Sequence, residues 1–179
     1  GRVPTDEIQA WLGALPDLAK VDSEAVARRA RGSTRRAIEL ARGGGAGGGE
    51  EHSKAGRELL LAAIADGPVA RLAAANDRRP MGARNELVFE LEALAEWLRD
   101  LLATTSGAED QVSDPIHLPI LKRIAAERGV DPTGIMRCLD RVDAARELAL
   151  GNVNPQLIVA TLLSELQRDL RPIAAGGVR

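Results

Sequence analysis

A chain of 179 residues can hold one large domain, or a small domain beside a medium one. Hydrophobic residues make up 45% of it but aromatic ones only 2%; since strands draw on aromatic and β-branched side chains and helices on Ala, Leu, Glu and Arg, an all-α fold is expected. The net charge of −2 gives no global attraction to nucleic acid, and no apolar run approaches the length that spans a bilayer.

Residues 5–15 open with Thr5 as N-cap and Asp6 and Glu7 in the first turn, then place Ile8, Trp11, Leu12 and Leu15 at helical spacing. Pro16 and Asp17 end that helix. A second is expected over 23–31, capped by Asp22 or Ser23 and stopped by Gly32. Ser33 caps a third over 34–42, which turns Ala37, Ile38 and Ala41 inward. Short helices such as these bury little surface, so residues 1–42 should form a small three-helix unit that leans on something else.

The run 43–49, GGGAGGG, has six glycines in seven residues. Such a run is expected to hold no helix and to act as a flexible tether with a mean reach of roughly 15 Å, within a Gly-rich linker over 43–53. A phosphate loop would need a preceding strand and a lysine in the spacing G-x-x-x-x-G-K-[ST]; no strand precedes these glycines and Lys54 is out of that register.

Past the linker, helices are predicted over 54–65, 69–78, 83–104, Leu118–Arg128, Pro132–Leu150 and 155–170. The longest, 83–104, carries Leu87, Leu91, Leu94, Leu98 and Leu101 on one face and Glu and Arg on the other. Residues 106–117 form a polar loop, and Gly129 and Gly151 stop the helices before them. In the segment 151–157, GNVNPQL, Asn154 caps the next helix and Pro155 takes its first position, where a missing N–H costs nothing. Val159, Leu162, Leu163, Leu166 and Leu170 then form a stripe that must be buried. The expected organisation is a five- or six-helix bundle over 54–172 and a fraying tail over 173–179.

Catalytic chemistry finds little support. His52 and His117 have no companions at ligand spacing, and one cysteine cannot build an ordinary zinc site, so no metal or other cofactor is expected. Cys138 lies on the apolar side of its helix with Ile135, Leu139 and Val142, as a buried structural thiol would. A lone cysteine also fits a reducing compartment, and the opening GRVPTDEIQA has no signal-peptide pattern; a cytoplasmic protein is expected. The carboxylate pairs 50–51 and 109–110 fall in segments expected to be flexible, where preorganised acid–base work is implausible.

One charged constellation remains: Arg28, Arg29, Arg31, Arg35, Arg36 and Arg42 fall within fifteen residues. They can serve as a solvated helical face. In the stretch 31–37, RGSTRRA, Gly32 and Ser33 instead build a tight turn into a helix whose N-terminus and Arg35 suit an anion such as a nucleotide phosphate.

That stretch resembles the sensor-2 segment of AAA+ proteins, with Gly32, Ser33 and Arg35 on its G-S-x-R pattern. The wording NVNPQL before a leucine-rich terminal helix, with WLRDLL at 97–102, resembles the C-terminal collar of bacterial DNA polymerase III delta-prime subunits. The resemblance implies an AAA+ lid over 1–42 and a collar over 54–172, the order of a clamp-loader subunit without its nucleotide-binding domain. It implies a non-catalytic assembly role in DNA replication beside gamma/tau and delta subunits, and through them contact with the sliding clamp and primed DNA. Delta-prime subunits typically lack productive ATP hydrolysis, so Arg35 can be a relic there. Outward positions of the terminal helix, Gln156, Thr161 and Glu165, are expected to meet a neighbouring subunit. Two other functions stay open on the residues. One is a nucleic-acid-binding helical domain using the arginines, against which stand the negative charge and the scarcity of aromatics for stacking. The other is a fragment of a gamma/tau-like ATPase subunit in which Arg35 assists hydrolysis.

Overall fold

The computed structural model describes residues 3–18, 21–30, 32–43, 48–77, 84–151 and 153–171. Every regular element among the described residues is helical, as the composition leads one to expect. The chain divides into two compact units, Gly1–His52 with Ser113–Ile116, and Ser53–Val112 with His117–Arg179.

In the first unit, α1 (Thr5–Gly13) is followed by a 3-10 turn at Pro16–Leu18, then α2 (Ser23–Ala30) and α3 (Thr34–Gly43). α1 packs on both α2 and α3, and α2 on α3. Ile8, Leu12 and Leu18 meet Val26, Ala27, Ala30, Ala37 and Ala41 in a core of the unit's own. The alanines on α2 and α3 let two helix axes approach closely, because interaxial distance is set by the side chains at the contact. Thr5 is the first helical residue, not the cap. Pro4 holds the cap position with φ −54° and ψ 147°, and its carbonyl accepts the first helical bond from Ile8 N at 3.1 Å. Proline's fixed φ already supplies the extended entry that a capping side chain would otherwise favour. For α2 the cap is Asp22, whose Oδ1 accepts from Ala25 N at 3.0 Å.

α4 (Gly48–Ile64) begins at Gly48, not at Lys54. Gly43 likewise closes α3, so both ends of the glycine run are helical. Glycine in a helix costs only about 1 kcal/mol per position relative to alanine. Strong formers such as Glu50, Glu51, Lys54 and Ala55 follow, and acidic residues near a helix start are favoured by its dipole. Residues 44–47 of the predicted linker and the predicted tail 173–179 lie outside the described residues.

The second unit continues through α5 (Pro68–Asn76), α6 (Arg84–Thr105), α7 (Leu118–Arg128), α8 (Pro132–Leu150) and α9 (Pro155–Asp169). The predicted polar loop before α7 contains two 3-10 turns, Glu109–Gln111 and Pro115–His117. α7 is closed by Gly129 in the left-handed region at φ 54°, whose N–H donates to Ala125 O at 3.0 Å. α6 packs on α7 and α8, α8 on α9, and α5 on α9. The core gathers Leu59 and Leu60 of α4, Leu87, Leu91, Leu94, Leu98 and Leu101 of α6, and the apolar faces of α7, α8 and α9.

α6 departs from the simple two-faced helix that its leucine spacing suggests. Glu90, Glu96 and Asp100 on its charged side are buried as well, and each interacts with the rest of the protein. Over 90–101 the burial therefore extends beyond the leucine stripe. No helix among the described residues is long and apolar enough to cross a membrane.

Candidate functional site

The turn between α2 and α3 is built by Gly32. Its φ of 84° lies in the left-handed region, where a side chain would be strained. Its carbonyl accepts from Val3 N at 2.9 Å, which ties the chain's opening to the turn. Ser33 N donates to Ala30 O at 3.0 Å, and Ser33 O accepts from Ala37 N at 2.9 Å, the first bond of α3. Ser33 thus stands at the N-cap position predicted for it, and its side chain is exposed. The first N–H groups of α3 have no partners within the helix, by the geometry common to all helices. The Arg35 and Arg36 side chains, all of Arg31 and the Arg42 side chain lie outside the described residues. Of the remaining arginines, Arg28 is paired with Glu24 at 2.6 Å on the same helix, and Arg29 has an interaction as well.

The corner before α9 forms as its sequence predicts. Asn154 Oδ1 accepts from Gln156 N at 2.9 Å, Asn154 is extended, and Pro155 is the first helical residue. Gly151 caps α8 with φ −88°, so this stop needs no left-handed residue. At about 100° per residue the sides of α9 can be assigned in turn. Pro155, Val159, Leu163, Leu166 and Leu170 face the core and are buried.

One flank of α9 meets α5. Gln156 Nε2 donates to Asn76 O at 3.5 Å at one end, and Gln167 Nε2 to Ala65 O at 3.2 Å at the other, so the two helices run antiparallel. The opposite flank meets α8, where Arg141 pairs with Glu165 at 3.6 Å and with Asp169 at 3.7 Å, and Arg137 with Asp169 at 3.1 Å. Only Leu157, Thr161, Ser164 and Arg168 remain exposed along the helix. Of the three positions expected to face a neighbour, Thr161 lies on this strip. Gln156 and Glu165 are half-buried and bond within the chain, because their two flanks are already occupied. The spacing 157–161–164–168 was the available signal for the strip.

The α8–α9 seam is close. Gly134, whose N–H donates to the capping Asp131 Oδ2 at 3.2 Å, lies against the carbonyl oxygen of Asp169. Further along, the Cys138 thiol is fully buried and points at the Leu166 carbonyl, 4.0 Å away. Burial, helped by the negative charge of Asp169, pushes the thiol up to about 12. It is a core side chain and a poor nucleophile.

Trp97, the opening residue of WLRDLL, is buried, and its indole N–H donates to Ser53 O of α4 at 2.9 Å. His117 is not an isolated surface histidine. Its ring lies 4.2 Å from that of Trp97 at a 34° tilt, in a half-buried position at the N-cap of α7. Sequence reasoning missed this pair because twenty residues of chain separate the partners. The His52 side chain lies outside the described residues. Among the described residues no three His, Cys, Asp or Glu side chains are grouped to hold a metal ion. An exposed pair, Asp66 and Arg128 at 2.6 Å, joins the turn after α4 to the end of α7, and the guanidinium holds the Asp66 carboxyl below its ordinary range.

Compared with known proteins, the chain matches no family model, no curated protein and no solved structure.

Proposed function

We propose that this chain is the lid and collar portion of a delta-prime-type clamp-loader subunit, a non-catalytic assembly module of the bacterial DNA polymerase III holoenzyme in the cytoplasm. Its partners would be gamma/tau and delta subunits, and through them the sliding clamp and primed DNA. The observation that carries the proposal is the corner 151–157, in which Asn154 caps and Pro155 opens a leucine-rich last helix. Two features add support: the left-handed Gly32 turn that opens α3 at the sensor-2-like segment, and an all-helical bundle of the kind from which assembly domains are built. Arg35 is then a vestigial sensor position rather than a working one, and Gly32 and Ser33 shape its turn.

The partner surface on α9 is its exposed strip, so Thr161 is retained as a contact and Gln156 and Glu165 serve only at its margins. Co-purification of the full chain with gamma/tau and delta subunits tests the assignment. Wild type should be retained in the complex, whereas a folded Leu157→Glu, Thr161→Lys double variant should be retained several-fold less. No retention of wild type by any loader subunit would overturn the assignment. Undiminished retention of the double variant would remove α9 from the interface.

A further inference from the structure

We draw no further inference here: the strongest candidate, the exposed apolar surface patch of Val69 and Leu72 on α5, carries nothing because nothing in the structure shows what covers it.

Discussion

Gly56 of α4 lies directly against Ala93 of α6: a Cβ placed on Gly56 would stand 2.6 Å from the Ala93 carbonyl carbon and 2.8 Å from the Ala93 Cβ. The obstacle is mostly backbone, which cannot rotate aside, so the two helices would have to separate. A Gly56→Ala change gains roughly 1 kcal/mol of helix propensity and loses about 1–3 kcal/mol to overpacking, and the immovable neighbour puts it at the costly end. Urea unfolding should therefore give a lower midpoint at unchanged slope. A midpoint equal to or above wild type would mean that α4 and α6 are not in such close contact.

Leu94 lies one residue further along α6 and is fully buried. Truncating it leaves a void among packed helices, and Leu94→Ala should cost about 2–5 kcal/mol, the range for large-to-small changes in a core. A loss under about 0.5 kcal/mol, measured by the same unfolding, is what a surface position would give.

The cap at Asn154 can be weighed separately from burial, since its side chain is exposed and accepts from Gln156 N. Asn154→Ala should lower stability by about 0.5–2 kcal/mol, while Asn154→Ser should stay close to wild type because serine can accept the same bond. Equal losses in the two variants would show that the corner depends on something other than the capping oxygen.

The Cys138 thiol sets a pH dependence whose sign follows from its shift to about 12 from an ordinary 9.0. Between those values the unfolded chain has released the proton and the folded chain keeps it. The unfolded state then binds fewer protons, so stability is fully present below the lower value and falls as pH rises through the window. Any advantage of wild type over Cys138→Ala should shrink between about pH 8 and about pH 10.5 in chemical unfolding. A constant gap would place the thiol in contact with water.

Local signals were legible in the sequence and long-range ones were not. Leu118–Arg128 and Pro132–Leu150 form where proline, glycine and apolar spacing place them, and the Asn154–Pro155 corner needs only its own residues. The Gly32 turn was readable for the same reason. Periodicity says that one face of a helix is buried, but not how many neighbours surround it. The burial of Glu90, Glu96 and Asp100 therefore has no counterpart in the leucine spacing, and neither does the pairing of Glu165 with Arg141 on the neighbouring helix. The start of α4 was misplaced because composition weighed the glycines alone and not the helix formers after them.

The enclosure of α6 also has a kinetic side. Over 90–101 only Glu92 and Arg99 are even partly open to water. An amide in such a helix meets solvent deuterium only when the surrounding bundle comes apart, so its exchange rate reports the global opening of that unit. α5, with Val69 and Leu72 exposed, can exchange through smaller and more frequent openings. Deuterium uptake should therefore fall into at least two tiers within one bundle, with α6 the last segment to label.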